Sequence, residues 1–217
     1  MASDFRQEFI RFIISQKVLR FGEFKTKAGR LSPYFFDAGL FYDGAALKQL
    51  AQFYAKAILA ADVVFDMLFG PAYKAIPLVA AVSIALADTG RNTRYSFNRK
   101  EAKDHGEGGS VIGAPLAGRV LIVDDVISAG TSVSESVNRI RASRAIPCGV
   151  AIALDRMERG SGALSAVQEV KGSYNIPVIS IATLDDLIEY LKADRQHAQH
   201  LAAVGRYREQ YGVTAHA

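Results

Sequence analysis

VLIVDDVISAGTS, Val120 to Ser132, is an apolar run that ends in two adjacent carboxylates and then in a loop of small and hydroxyl-bearing residues. Leu121, Ile122 and Val123 show no polar alternation, which predicts a strand buried on both faces, as in parallel sheets. From Ser132 onward the pattern is helical, so the loop delivers the chain to a helix start with unpaired N–H groups and a partial positive charge. Val126 and Ile127 lead into Ser128, Ala129, Gly130, Thr131 and Ser132, residues small enough for the backbone to approach an anion. Beside that cradle, Asp124 and Asp125 are placed to accept hydrogen bonds from neutral hydroxyls. A sugar phosphate uses both halves, its phosphate in the loop and its ribose hydroxyls on the acids. A strand-end acid or a Ser132 helix cap would each be ordinary alone. Two adjacent carboxylates repel one another, however, and a turn needs only one. No Lys follows Gly130, so this is not a Walker A loop, and the dinucleotide spacing G-x-G-x-x-G is absent from it.

Outward from this segment the pattern alternates between strand and helix. A helix is expected over Asp4 to Lys17, with Asp4 and Gln7 as a capping box. Short strands at Phe21 to Lys25 and Pro33 to Asp37 flank a Gly29 turn, so residues 1–40 read as a small α+β hood. A helix over Ala45 to Leu59 follows, then a strand at Met67 to Phe69, an apolar helix over Lys74 to Ala87 and a strand at Thr93 to Phe97. Beyond the central strand come a helix over Ser132 to Ala142 and strands at Val150 to Leu154 and Val178 to Ile181. Two polar terminal helices are expected at Asp185 to Lys192 and Asp194 to Tyr211. The fold class this predicts is α/β: a mainly parallel sheet flanked by helices on both faces, one domain over 1–217. Ligands of such sheets lie beyond the carboxyl ends of the strands.

The 217 residues are half hydrophobic and 22% charged, enough for a packed core. A net charge of +4 without a long basic block is only a weak suggestion of nucleic acid, and anionic small substrates explain it equally well. The single cysteine, Cys148, excludes an internal disulfide and a cysteine metal cluster. The longest apolar run, Ala75 to Ala87, contains Pro77 and Ser83 and is too short to span a bilayer. No signal peptide is expected from the acidic-capped start, and a reducing, cytoplasmic setting follows.

Four further groups fall at strand ends. Gly70-Pro71-Ala72-Tyr73-Lys74 is a turn entering a helix, where Lys74 is electrostatically unfavourable unless an anion is shared. Asn98 to Ser110 carries Arg99, Lys100, Lys103 and His105 and then glycines, which suggests a mobile lid with cationic teeth. A fixed cation 4 Å from a departing anion offers about 4 kcal/mol of gross attraction at an effective dielectric of 20. In the hood, Tyr34-Phe35-Phe36 beside Lys25 and Lys27 suits a flat anionic ring, although strand alternation must turn Phe35 or Phe36 to the core. Arg156, just past a strand, is suited to bidentate capture of a carboxylate.

The Val120 to Ser132 loop resembles the phosphoribosyl-pyrophosphate (PRPP) signature of the type I phosphoribosyltransferases. With SPYFFDAGLF, FGPAYKAIP, FNRKEAKDHGEGG and LDRMERG in the family's order, nearly the whole chain resembles the bacterial orotate phosphoribosyltransferases. That resemblance implies a Mg²⁺-dependent transfer of phosphoribose from PRPP to N1 of orotate. It assigns Lys27, Phe35, Phe36, Ser128 and Arg156 to orotate. To PRPP it assigns Tyr73, Lys74, Arg99, Lys100, Lys103, His105, Asp124, Asp125 and residues 126–132. Lys103 is implied as the leading catalytic residue, with His105, Asp124 and Asp125. Mg²⁺ would be held mainly by substrate oxygens and water, with no direct protein ligand. A homodimer is implied in which each lid closes over the partner's site, with no nucleic acid or membrane partner. A purine or uracil phosphoribosyltransferase, or a PRPP-sensing regulator, shares the loop. Arg156 and the aromatic hood argue against the first, and the complete lid without an added DNA-binding segment against the second. Ser128 stands where the family often has Thr, which keeps the hydroxyl.

Overall fold

Alternate residues of the central strands go to two separate cores. Leu68, Leu121, Val123, Ala151 and Ile181 join one, while Met67, Phe69, Val120, Ile122 and Ile152 join the other. A strand buried this way needs helices on both faces, and the computed structural model has them. It describes residues 4–26, 29–103, 109–128, 130–160 and 162–213, with the backbone alone at 100–103 and 109.

Helix α1 (Phe5–Ser15) leads to the hairpin β1 (Leu19–Lys25) and β2 (Leu31–Phe36), a two-stranded antiparallel sheet. Then follow α2 (Gly44–Ala60), β3 (Met67–Gly70), α3 (Ala75–Asp88), β4 (Arg94–Lys103) and β5 (Gly109–Gly113). The remainder is β6 (Arg119–Val123), α4 (Thr131–Ala142), β7 (Ile146–Asp155), α5 (Ala166–Tyr174), β8 (Val178–Thr183), α6 (Leu184–Ala193) and α7 (Leu201–Tyr211). The main sheet has the order β5-β4-β3-β6-β7-β8, parallel throughout except for the antiparallel β4–β5 edge. Residues of α1, α2, α3 and α6 fill the first core with the hood, and residues of α4 and α5 fill the second.

From β3 the chain moves outward to β4, whereas from β6 it moves the other way to β7 and β8. The switch point therefore lies between β3 and β6, and a crevice opens beyond their carboxyl ends. The Gly70 turn and the Asp124 loop both emerge there.

Several expectations are corrected. Asp4 caps α1 by accepting from the Arg6 N–H, but Gln7 donates to the Asp186 carbonyl, so the box is not closed. The stretch from Asn98 is not irregular at its arms: β4 runs on to Lys103, and β5 begins at Gly109. Residues 194–200 lie outside α7, with Ala198–His200 in a short 3-10 turn, and α6 is no surface helix, since Leu184, Leu187 and Leu191 enter the core. Helix α5 was not expected at all. Among the described residues no helix is long and apolar enough to cross a membrane.

Candidate active site

The two carboxylates at the end of β6 are held by backbone before their side chains diverge. Asp124 N–H donates to Ala151 O at 3.0 Å and Ala153 N–H to Asp125 O at 2.9 Å, so pairing with β7 continues through both acids. Asp124 turns inward and is 7% exposed. Its Oδ1 accepts from the Asp125 N–H at 2.9 Å and its Oδ2 from the Ser132 hydroxyl at 2.9 Å. Burial, and then the neighbouring Asp125 charge, push its carboxyl up to about 6. Asp125 turns outward: its Oδ1 accepts from the Val126 N–H at 2.8 Å, and its Oδ2 lies 3.4 Å from Lys74 Nζ. The expected pair of equivalent carboxylates is thus divided, one committed within the protein and one facing the crevice.

Beyond them the chain reaches Gly130 in the left-handed region at φ +71°, where glycine carries no steric cost. Gly130 is the cap of α4, and no side chain bonds back to the helix start. Ser132 therefore does not cap the helix as a structural reading would have it. Its hydroxyl goes to Asp124, which leaves the first-turn N–H groups of α4 for an anion. Ser128 and Thr131 are exposed at the rim, while Val126 packs on the first core and Ile127 on the second.

Across the crevice, Gly70 approaches α3 too closely for any side chain, since a Cβ would lie 2.6 Å from Ala75 O. The turn that follows is fixed by Asn98, whose Oδ1 accepts from the Ala72 N–H at 2.8 Å. Tyr73 projects outward and Lys74 begins α3. Lys74 and Asp125 meet over a cavity of about 180 Å³ that Tyr54, Leu50 and Pro77 also line. A second cavity of about 170 Å³, with Ala72, Asn98, Ser132 and Arg139 in its walls, lies beside the α4 start.

The hood divides its aromatics as alternation requires. Phe36 is buried, whereas Phe35 is exposed and stacks on Phe24 at 5.5 Å. Phe36 thus belongs to the core, and Phe35 is the member of the pair available to a ligand. Arg156 is paired with Glu158 at 2.6 Å and donates to Ser32 Oγ at 3.1 Å. Arg99 is half-buried on β4. Lys27, His105 and Ala129 lie outside the described residues, and Lys100 and Lys103 are described in backbone only. Cys148 is partly buried with its thiol pushed up to about 11 by burial, which fits an inert residue.

Three contributors carry no site role assigned from the sequence. Tyr54 donates its hydroxyl to the Asp124 carbonyl at 2.7 Å from within α2, where it looked like one more apolar-face residue. Asn98 was read only as the start of a lid. Glu158 had a weak signal, an acid two residues after Arg156.

A parallel sheet whose switch point joins an uncapped helix start to two carboxylates defines a phosphoribosyltransferase domain, and the family model of the phosphoribosyl transferase domain matches residues 39–193. Nearly full-length relatives narrow this. The orotate phosphoribosyltransferase of Thiobacillus denitrificans is 66% identical over 211 residues, 97% of this chain and 100% of that protein. That of Nitrosospira multiformis is 68% identical over 209 residues, 96% of this chain and 92% of that one. The crystal structure of the Francisella tularensis orotate phosphoribosyltransferase superposes with a TM-score of 0.86 at 41% identity, covering 95% of this chain and all of that one. The Mycobacterium tuberculosis orotate phosphoribosyltransferase in complex with PRPP shares the fold at a TM-score of 0.62 and 21% identity, over 84% of this chain and 98% of that one. The chain belongs to the orotate phosphoribosyltransferase family.

Proposed function

We propose that the protein transfers phosphoribose from PRPP to N1 of orotate, giving orotidine 5′-monophosphate and pyrophosphate in pyrimidine synthesis. The observation that carries this reading is the crevice at the switch point. There Lys74 meets Asp125 at 3.4 Å beside the uncapped start of α4. In this assignment the 5′-phosphate takes the N–H groups of the α4 start with the hydroxyls of Ser128 and Thr131, and residues 126–130 form the cradle wall. Asp125 accepts from the ribose hydroxyls, and Asp124, buried behind it, orients the Asp125 N–H and the Ser132 hydroxyl. Tyr73, Lys74 and Arg99 face the pyrophosphate. Phe35 offers a ring face to the base, with Lys27 for its charge and Arg156 for its carboxylate.

As the C1–O bond lengthens, positive charge spreads over the sugar ring and negative charge gathers on the leaving group. The protein's work is to neutralise that anion, align N1 with C1 and exclude water. Lys103 and His105, with Lys100, are assigned to a lid from the β4–β5 hairpin that closes over the pyrophosphate. The donor set bears on Mg²⁺ directly. Both Asp124 oxygens accept hydrogen bonds from the protein, and one Asp125 oxygen faces Lys74. Among the described residues no group of three or more His, Cys, Asp or Glu could hold an ion. This set would fit an ion carried mainly by substrate oxygens and water. Such an ion supplies charge neutralisation to the diphosphate. A homodimer with lids crossing between subunits and a cytoplasmic setting complete the proposal.

The test is a product assay with PRPP and orotate, uracil, hypoxanthine or adenine, with and without Mg²⁺. Orotidine 5′-monophosphate formed from orotate alone, and only with Mg²⁺, is the expected result. Turnover of a purine base with none of orotate would refute the substrate assignment.

A further inference from the structure

The segment after β7 carries Arg156, and contacts from three directions hold it. Arg156 donates from Nε and Nη2 to a single oxygen, Glu158 Oε1, at 2.8 and 2.6 Å. Nη2 also donates to Ser32 Oγ at 3.1 Å. The guanidinium lies 4.7 Å from the centre of the Tyr34 ring, and the Tyr34 hydroxyl donates to the same Glu158 oxygen at 3.4 Å. Both charged side chains are mostly covered, at 22% and 16% exposure.

This cluster is backed by the C-terminal helix. The Tyr207 ring stands edge-on to Tyr34 at 6.2 Å. Val213 N–H donates to Met157 O at 2.8 Å, and Glu158 forms an antiparallel bridge with Gly212. On the other side Arg30 donates to the Arg159 and Gly160 carbonyls, at 2.7 and 3.1 Å. Glu158 thus takes the Nε–Nη2 edge of Arg156 inside a segment that hood and C-terminus both clamp.

An arginine free to sample its rotamers loses that freedom when it captures a carboxylate, and the loss weakens binding. We propose that Glu158 is a positioning residue for base recognition: it holds the Arg156 guanidinium in one orientation for the carboxylate of the incoming base. The proposal rests on the reading of Arg156 as the carboxylate grip. Glu158 also cancels the Arg156 charge, so selection comes from hydrogen-bond direction rather than long-range attraction. Charge balance and positioning make opposite demands on the residue at 158, and that separates them.

Glu158→Asp keeps the charge and withdraws the acceptor by one methylene. Glu158→Gln keeps the acceptor oxygen and removes the charge. Steady-state kinetics on the full-length variants, with KM for orotate and for PRPP measured separately, read the difference. Losing the acceptor that fixes the Arg156 orientation raises the orotate KM about tenfold or more in the Asp variant. The Gln variant stays near wild type for orotate, and the PRPP KM is unchanged in both. The proposal is overturned by a wild-type orotate KM in Glu158→Asp. An orotate KM raised in Glu158→Gln as much as in Glu158→Asp overturns it too, as does an equal rise in both KM values. A wild-type enzyme that turns over no orotate would instead defeat the reading of Arg156. An active wild type with an indistinguishable Asp variant defeats only the role of Glu158.

Discussion

Asp124 and Asp125 are neighbours in sequence and opposites in environment. Burial raises the Asp124 carboxyl from 3.8 to about 6, a change that carries a stability cost. In the unfolded chain the group ionises near its ordinary value, whereas in the fold it keeps its proton until about pH 6. Its stabilising contribution is therefore complete below about pH 4 and is lost as pH rises through 6. Two pKa units correspond to about 3 kcal/mol, an order-of-magnitude figure for a buried group. Asn at this position keeps an acceptor for the Asp125 N–H, and its amide can donate to the Ser132 oxygen once that hydroxyl turns. Asp124→Asn is thus expected to be the more stable protein at pH 8, by about 1–3 kcal/mol, and to lose the advantage as pH falls toward 4. Denaturant titrations at the two pH values measure this, and an unchanged difference between them would remove Asp124 as the titrating group. Activity should fall in the same variant, a trade between stability and function found where a site holds a buried charge.

At the scale of elements, the approach of β3 to α3 sets where Lys74 begins its helix. Gly70 allows that approach: a Cβ there would lie 2.7 Å from Val79 Cγ1 as well as against the Ala75 carbonyl. Gly70→Ala must push α3 away, at a cost of about 1–3 kcal/mol for overpacking. For a chain of this size the thermal midpoint should drop by about 2–4 °C per kcal/mol, and the PRPP KM should rise as Lys74 leaves Asp125. A variant with a lowered midpoint and an unchanged PRPP KM would show that the turn does not depend on this contact. The same turn shows what the sequence made legible. Met67 to Phe69 and Val120 to Val123 are unbroken apolar runs, so strands, sheet class and both site loops could be read. Residues 98–103 have no apolar period on either face, so nothing marked them as strand; they lie beyond Phe97, the last β4 residue paired with β3, and pair with β5 alone. Helix α5 has only nine residues and a glycine, and its visible sign was the Ser165–Gln168 capping box, which the structure closes. The strand expected from Val150 starts earlier, at Ile146, and the ladder with β6 shifts register between Val120 and Leu121 to take in Pro147. In the site, residue types were legible while directions were not. That Asp124 points inward, Asp125 outward and Phe36 to the core depends on which face each element presents.

For the whole molecule, the sheet order decides what the lid proposed for the β4–β5 hairpin can be asked to do. Hairpin β4–β5 forms one edge, and β3 stands between it and β6, which carries the acids. Strand spacing of roughly 4.8 Å puts β4 about 10 Å from β6. A hairpin that extends past the strand ends could thus serve its own crevice or, in a dimer, its neighbour's. Two variants separate these cases. Lys103→Ala removes the lid cation proposed to meet the pyrophosphate, and its kcat should fall by at least about a hundredfold if that charge acts in the transition state. Its PRPP affinity should weaken only modestly. Asp125→Ala keeps the proposed lid and loses the proposed ribose acceptor. If each lid closes over the partner's site, a mixed dimer of the two holds one crevice with Asp125 intact and Lys103 supplied from across the interface. Random exchange makes half the dimers mixed, so equal amounts should recover about a quarter of wild-type activity. If each lid serves its own subunit, every crevice in the mixture lacks one residue and activity stays at the level of the separate variants. Subunits with two different tags, co-purified to prove exchange and then assayed, distinguish the outcomes. No recovery in verified mixed dimers would confine the lid to its own chain.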